Sequence, residues 1–334
     1  MSRFRWVGAL VGDGPADRLR PNETRPGDHF VVTVFALGAA LLYGCADFLG
    51  GVATRQARVL SILPASALAG LVIVLVAALA SGEAPRLAGV AWGLAAGGVG
   101  GVGLIVFYDG LAAGPMTIVA PTSALTATVL PVAVSIAEGE RASPVVYAGA
   151  LICLVAIVLV SAAGSPAAES PDARTREAST GRTVAGLVSR LARRGFHSRA
   201  VAFGLTAGAT FGLFFLFLRN AGQSGALWPI VASRLTGFLV VVVAATATRT
   251  RPVIASGGTR LLLATFGSGT LDATANVSYV LATRAGLFGL AVVLTSLYPG
   301  VTVVLARFVL GERLRPTQLI GLLLAAAGVL MVTV

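Results

Sequence analysis

Charged residues are scarce in this chain of 334 residues, because only 12% of its residues are charged whereas 56% are hydrophobic. A soluble domain carries about 25% charged residues, so a protein of this composition could not present a polar surface to water. The mean hydropathy of +0.87 therefore predicts that lipid is its solvent. The 41 glycines favour close packing of helices in a bilayer, where small residues let backbones approach.

Residues that carry common catalytic chemistry are also few, with two cysteines and two histidines. Cys45 and Cys153 lie within apolar segments, and we interpret them as buried residues rather than as a disulfide or a metal pair. His29 and His197 lie at the edges of polar regions. The sequence has no metal-ligand spacing, serine-nucleophile motif, phosphate loop or dinucleotide fingerprint. We predict no metal, no cofactor and no enzymatic activity.

Lysine is absent, so the formal net charge of +11 rests on arginine. A sequence pI near 11.2 is typical of proteins that bind nucleic acid. Here the arginines lie mainly in an N-terminal tail, a central linker and short loops, which is where membrane proteins carry flanking charge. We therefore predict contact with lipid and none with nucleic acid.

Apolar segments recur along the whole chain after residue 29. A helix needs about 20 apolar residues to cross a bilayer, and a helix satisfies its own backbone polar groups there. The sequence predicts an all-α polytopic membrane protein with ten transmembrane helices, five in each half. The predicted segments are Phe30–Thr54, Leu60–Ala80, Leu87–Tyr108, Met116–Ala137, Val145–Ala163, Arg199–Leu218, Leu227–Thr248, Leu261–Thr283, Leu287–Leu310 and Pro316–Val334.

These helices fall into two blocks, residues 30–163 and residues 199–334. Residues 1–29 are polar and are predicted to be a disordered tail, and residues 164–198 form a basic linker. Within the linker, Thr183–Phe196 has an apolar face with arginines around its other sides. A basic amphipathic helix on anionic lipid and an ordinary solvated linker are both open interpretations of this segment.

The two blocks repeat one sequence. An ungapped alignment that begins at Gly114 and Gly286 places Gly139-Glu140-Arg141 opposite Gly311-Glu312-Arg313. Duplicated apolar segments are typical of secondary transporters. Because each block has an odd number of helices, we expect the blocks to lie in opposite orientations across the membrane, with both chain termini on one side. Glu140 and Glu312, near predicted helix N-termini, are interpreted as structural because a helix dipole favours a carboxylate there.

The run from Asp272 to Asn276, the Tyr298-Pro299 pair and Gly311-Glu312-Arg313 resemble the second repeat of the EamA-like branch of the drug/metabolite transporter (DMT) superfamily. The first block is similar through Tyr43–Gly51 and Gly139-Glu140-Arg141. The resemblance implies a ten-helix basket, a central cavity and alternating access. It also implies outward movement of amino acids, drugs or other small metabolites across the plasma membrane, with both termini cytoplasmic. The arginine-rich linker would then lie outside, against the positive-inside rule.

The first candidate site lies in the eighth predicted helix. Asp272, Asn276 and Tyr279 are spaced to share one helix face. A carboxylate at this depth in lipid is costly unless it faces the bundle interior or a water-filled cavity. We predict a substrate or proton site there, with a structural polar clamp as the alternative.

Two further charged residues interrupt apolar segments. Arg234 lies inside the seventh helix, where it is expected to pair with Asp272 or Asp47, hold an anionic group of the substrate, or extend toward the membrane surface. Asp47 lies late in the first helix, four residues after Tyr43. We predict that Tyr43, Asp47 and Arg234 line the cavity.

Hydroxyl groups near prolines form the last candidate set. Prolines in corresponding places of two repeats point to a binding site, because they free backbone carbonyls, although packing kinks are the competing interpretation. The predicted binding residues are Ser123 and Thr126 in the fourth helix and Thr295 and Tyr298 in the ninth, and the predicted hinges are Pro121, Pro131 and Pro299.

The sequence thus predicts a secondary transporter that binds a small organic solute near the midplane and uses a gradient, with protons as one candidate. The solute is expected between the first, third, fourth, sixth, eighth and ninth helices. A non-catalytic membrane subunit and a lipid scramblase are the alternatives. Substrate identity and the choice between monomer and homodimer are left open.

Overall fold

The computed structural model describes residues 26–113, 116–140, 143–162, 184–251, 258–311 and 314–333, and all regular structure in these ranges is α-helix. The predicted all-α architecture is confirmed for them. The helices are α1 Pro26–Thr54, α2 Val59–Ser81, α3 Leu87–Ala113, α4 Met116–Ala137, α5 Pro144–Ala162, α6 Val184–Gly222, α7 Leu227–Ala247, α8 Thr259–Ala285, α9 Phe288–Thr295, α10 Tyr298–Val309 and α11 Pro316–Thr333.

The prediction of ten spanning helices is met in part. Within the described residues, six stretches are long and apolar enough to cross a membrane: Phe30–Thr54, Val59–Ser81, Leu87–Phe107, Arg199–Gly222, Leu227–Ala247 and Phe288–Val309. α8 falls short of this standard because polar residues such as Asp272 and Asn276 interrupt it. Shorter apolar stretches occur in α4, α5 and α11, at Thr122–Ala137, Pro144–Val160 and Pro316–Met331.

Two helices begin earlier than the sequence boundaries. α1 starts at Pro26, inside the predicted tail, and α6 starts at Val184, inside the predicted linker. The backbone of the proposed amphipathic segment is therefore helical and continues into the sixth span. Its side chains before Arg199, like the rest of the linker and residues 1–25, lie outside the described part of the chain.

The outer faces of the helices are apolar. On α2, for example, Val72, Ile73, Val76 and Leu79 are exposed. An apolar surface that covers a whole bundle would be unfavourable in water but suits hydrocarbon. The polar side chains Ser233, Asn276 and Thr295 are instead buried within the bundle, as expected for a multi-pass membrane protein.

Helices from the two halves interleave. α1 packs along α8 and α3 along α6, α2 packs against both α7 and α8, α3 also packs against α7, α4 packs against α6, and α5 packs with α11. α1 additionally contacts α9 and α10. Almost every extensive contact therefore joins the first half to the second, so neither half forms a separate core.

Two glycines permit the closest crossings in the bundle. Gly97 of α3 lies against the carbonyl oxygen of Ser233 in α7, and Gly269 of α8 lies against the carbonyl oxygen of Ser66 in α2. A Cβ atom at either glycine would overlap that backbone oxygen. Small residues at a helix interface in lipid allow this kind of backbone approach.

The ninth predicted segment is broken. α9 ends at Thr295 and α10 begins at Tyr298. Between them the backbone forms the tighter i−3 hydrogen bonds, which Leu297 N–H donates to the oxygen of Leu294 and Gly300 N–H donates to the oxygen of Leu297. Pro299 has no N–H to donate. By contrast, α4 runs through Pro121 and Pro131 without interruption, so the structure shows a backbone break in one of the two corresponding helices.

Candidate functional site

A cavity of about 290 Å³ lies in the middle of the bundle. It is lined by the predicted first, third, fourth, sixth, eighth and ninth helices, and also by the second and seventh, which the sequence interpretation left out. The residues that contact it include Tyr43, Asp47, Ala67, Gly97, Gly100, Ser123, Phe211, Phe214, Phe215, Ser233, Arg234, Phe238, Asp272, Asn276, Ser296 and Tyr298. The cavity is thus a shared product of both halves.

An ion pair crosses the cavity wall. Arg234 of α7 donates through Nη1 to Oδ2 of Asp272 in α8. The side chain of Arg234 is 15% exposed and that of Asp272 is 39% exposed, so the carboxylate is the more accessible partner. Of the pairings that the sequence left open for Arg234, the structure contains the one with Asp272. Arg234 Nη2 is buried and has no hydrogen-bond partner among the described residues.

A second polar link joins α1 to α8. The hydroxyl of Tyr43 donates to Oδ1 of Asn276 at 2.5 Å, and Nδ2 of Asn276 donates to the backbone oxygen of Asp272 at 3.0 Å. Because both ends of the amide are engaged, Asn276 holds Tyr43 in a fixed position beside the ion pair. Removal of either partner would leave a buried polar group unsatisfied, which costs more than the bond itself contributes.

Asp47 stands apart from these links. It lines the cavity and is exposed, although it lies inside the apolar stretch Phe30–Thr54. Within the described part of the chain it makes no hydrogen bond and no ion pair. Asp272 lines the same cavity.

Aromatic rings form one end of the cavity. The ring of Tyr43 meets those of Phe215 and Tyr298 edge-on, at centroid distances of 6.4 and 6.1 Å. Phe214 contacts Phe215 at 5.3 Å. These arrangements are the favourable ones for aromatic pairs, and they join α1, α6 and α10 across the bundle. The phenylalanines of this surface form a cluster in the sequence of α6, and such a cluster in a spanning helix does not by itself indicate a site.

Tyr279 lies beyond this aromatic end rather than in the cavity lining. It is fully buried, its ring contacts Phe215 at 4.9 Å, and its hydroxyl donates to the backbone oxygen of Phe215 at 3.1 Å. The spacing from Asp272 does place both residues on one helix face. Seven residues along a helix, however, span about 10 Å, and Tyr279 packs on Phe215, which itself lines the cavity.

The predicted hydroxyl groups divide into two sets. Ser123 and Tyr298 line the cavity. Thr126 instead donates to the backbone oxygen of Thr122 at 2.9 Å, and Thr295 is buried with its hydroxyl 3.5 Å from the backbone oxygen of Ala36. Short hydroxyl side chains in helices bond to their own backbone in this way, so helix periodicity could not identify which of them face the solute space.

The predicted hinges also differ among themselves. Pro299 follows the break between α9 and α10, next to the lining residues Ser296 and Tyr298. Pro131 is buried inside the continuous helix α4. Pro121 lies in the same helix, and its side chain is outside the described residues.

Charged contacts join the loop after α4 to α6 and α9 at one end of the bundle. Arg219 near the end of α6 donates to Glu138 at 2.6 Å, and its guanidinium lies 4.2 Å from the ring centroid of Phe288. The carboxylate of Glu140 accepts from the backbone N–H of Gly289 at 3.1 Å and also from the hydroxyl of Ser135. Glu140 therefore does stabilise a helix N-terminus, but that of α9 rather than of the helix that follows it in sequence.

Metal ligands are not clustered in the part of the chain that the structure describes: no group of three or more histidine, cysteine, aspartate and glutamate side chains could hold an ion there. Both cysteines are free. The cavity lining offers charged, hydrogen-bonding and aromatic groups to a solute.

The apolar helices and their exposed apolar faces define the class of protein, a multi-pass membrane protein. Residues 198–334 match the model of the EamA-like transporter family. This match confirms the predicted resemblance and indicates a transporter of the drug/metabolite type, a family that is generally non-enzymatic.

Among solved structures, the fold is similar to that of a crystal structure described only as that of a protein, with a TM-score of 0.67 and 18% sequence identity. That likeness covers 91% of this chain and 98% of the other. At such an identity the likeness shows the fold alone. No protein with a curated description matches this chain.

Proposed function

We propose that this protein is a secondary transporter that moves a small organic solute outward across the plasma membrane by alternating access. The observation that carries the proposal is the central cavity, in which Arg234, Asp272, Asp47 and Asn276 meet inside a bundle with an apolar exterior. Charged groups at this depth are costly and are expected where a solute or ion passes. The bilayer, the solute and protons are the proposed partners, and no nucleic acid is expected.

The packing supports the proposal of ten spans in two inverted repeats. Suppose that α1, α2, α3, α4 and α5 exchange places with α6, α7, α8, the pair α9–α10 and α11, respectively. The contact of α1 with α8 then becomes the contact of α6 with α3. The contact of α2 with α8 becomes that of α7 with α3, and the pairs α2–α7 and α5–α11 map onto themselves. A pseudo-two-fold axis would give this exchange, and five spans in each repeat would require that axis to lie in the membrane plane.

Several contacts lack a counterpart within the described residues, among them that of α5 with α9 and α10 and that of α6 with α8. α6 packs against α8, where a Cβ at Gly222 would lie 3.7 Å from that of Val280, but α1 and α3 show no comparable packing in the described residues. The contact between α6 and α8 lies at the end of the bundle where Arg219 pairs with Glu138. We infer that this conformation is shut at that end, and that the opposite conformation separates α6 from α8 and brings α1 to α3.

Crosslinking tests the alternation. In a variant without Cys45 and Cys153, cysteines at Gly222 and Val280 lie at a Cβ separation suited to a disulfide. Their oxidation should abolish transport, and reduction should restore it. The matched control joins Leu159 to Gly321, because the α5–α11 contact is unchanged by the proposed exchange. Full transport by the oxidised Gly222–Val280 variant would refute the alternation.

Flux measurements test the function itself. Metabolite profiles of cells with and without the gene identify candidate solutes, and vesicles that contain only this chain then measure their flux. Asp272→Asn should reduce that flux, whereas Asp109→Asn, an exposed position outside the cavity lining, should not. A membrane subunit would show no flux, and a scramblase would move labelled lipids instead of solute.

Reporter fusions test the topology. With both termini cytoplasmic, fusions in the 164–198 linker and at the C-terminus should report opposite sides of the membrane. If both fusions report the same side, the number of spans or the inverted arrangement is wrong. Gel filtration with light scattering of the purified protein decides between monomer and homodimer.

A further inference from the structure

The charges that line the cavity do not cancel. Arg234 is already paired with Asp272, so Asp47 remains as one carboxylate in excess. Asp47 is exposed to the cavity and has no ion-pair or hydrogen-bond partner among the described residues. A carboxylate inside a membrane protein is stabilised by water in a cavity or by a positive group, so Asp47 gives the cavity a net negative charge with which a cationic group would pair.

Groups that would attract an anion are already occupied or shielded. Nη1 of Arg234 is bound to Asp272, and Nη2 is buried without accessible surface. The hydroxyl of Tyr43 is donated to Asn276, and the amide of Asn276 is donated to the backbone of Asp272. The hydrogen-bond donors of this network are therefore engaged within it, whereas its negative charge faces the cavity.

The rest of the lining is aromatic and apolar. Phe211, Phe214, Phe215 and Phe238 share the cavity with Asp47 and Tyr298. Aromatic faces attract organic cations through the ring quadrupole, and cages of such rings recognise quaternary ammonium groups. The space next to these rings is left open by small residues, Ala67 and Gly100.

Building on the proposed transport function, we propose that the solute is a monovalent organic cation, with its charged nitrogen beside Asp47 and an apolar body among the phenylalanines of α6 and α7. Asp47 selects the charge, and the aromatic surface accepts a range of hydrophobic shapes. The Arg234–Asp272 pair lines the same cavity, and Asn276 holds Tyr43 in place.

Binding to the purified full-length protein in detergent tests this assignment with four probes of similar size: phenyltrimethylammonium, benzyl alcohol, benzoate and zwitterionic phenylalanine. We expect phenyltrimethylammonium to bind tightest. Asp47→Asn should weaken its binding about 10- to 100-fold, the usual consequence of removing one member of a desolvated charge pair. Asp109→Asn serves as the matched control and should leave the affinity unchanged.

Several results would overturn the assignment: no binding of phenyltrimethylammonium, equal or tighter binding of benzoate or phenylalanine, or unchanged affinity in Asp47→Asn. Counterflow of the same probes in proteoliposomes separates this failure from that of the proposed function. Saturable flux of benzoate or phenylalanine without flux of the cation would retain the transporter and refute the charge assignment. Absence of saturable flux of all probes, together with the absence of flux of the profiled metabolites, would refute transport.

Discussion

The two glycine crossings are alike in packing and unlike in chemistry. Gly97 lies against Ser233, and Gly269 lies against Ser66. The residue after Ser233 is Arg234, but the residue after Ser66 is Ala67. The residue three positions after Gly269 is Asp272, but the one three positions after Gly97 is Gly100. All four of these neighbouring residues line the same cavity.

The two related halves of the bundle contribute different chemistry to one site. At the α7–α8 side an ion pair forms the wall, whereas at the α2–α3 side two small residues leave free volume. If both crossings carried an ion pair, the side chains would fill the space that a solute needs. If neither did, the cavity would lack its ordered polar wall.

The largest expected effect comes from breaking the crossings themselves. Gly97→Ala or Gly269→Ala should each destabilise the protein by about 3 kcal/mol. The new Cβ would overlap a backbone oxygen, which cannot move aside by a change of side-chain rotamer. Thermal unfolding in detergent measures this loss. Gly51→Ala is the matched control, since nothing lies within 4 Å of its Cβ. Tolerance of alanine at only one crossing would contradict their equivalence.

The next largest effect comes from removing one charge of the ion pair. Arg234→Ala leaves Asp272 without its cation and should cost about 2 kcal/mol, less than for a fully buried pair because Asp272 is partly exposed. The double variant Arg234→Ala, Asp272→Ala should recover much of that stability. Thermal unfolding of the two single variants and the double variant gives the coupling energy, and a coupling near zero would mean that the pair is not formed.

Filling the α2 side of the cavity tests whether the solute occupies the space beside the small residues. Ala67→Leu adds volume to the cavity wall without touching the ion pair, so solute flux should fall about tenfold, as expected from about 1–2 kcal/mol of overpacking against a bound solute. The melting temperature should change little. Ala77→Leu on the exposed face of α2 is the control, and equal flux in both variants would exclude the α2 side as solute space.

The smallest effect concerns a single hydrogen bond. Tyr43→Phe removes the donor to Asn276 and should destabilise the protein by about 1 kcal/mol. Thermal unfolding measures the shift, and Tyr147→Phe, which removes the bond from an exposed hydroxyl to the backbone oxygen of Glu140, should change stability by less than about 0.5 kcal/mol. A Tyr43→Phe protein as stable as the unmodified one would show that the bond to Asn276 contributes nothing to the packing of α1 on α8.

Much of the candidate site followed from polar residues that interrupt apolar segments. Arg234, Asp272, Asn276 and Asp47 were identifiable in this way because each is costly in lipid, and all four line the cavity. Tyr279 lies outside this lining. Periodicity gives the face of a helix but not the depth at which a cavity ends. The phenylalanines of α6 were missed because an apolar residue in a spanning helix has the same pattern whether it faces lipid, core or solute.

Composition alone determined that the chain is helical and embedded in lipid, since a backbone without water must form its hydrogen bonds within each segment. The duplicated sequence likewise predicted two related halves before any contact was known. The pairing of Arg234 with Asp272, the bond of Tyr43 to Asn276 and the lack of a partner for Asp47 among the described residues follow from the tertiary structure alone. Such pairings depend on the depth and angle at which helices cross, and these are set by close contacts such as Gly97 with Ser233, between residues far apart in the chain.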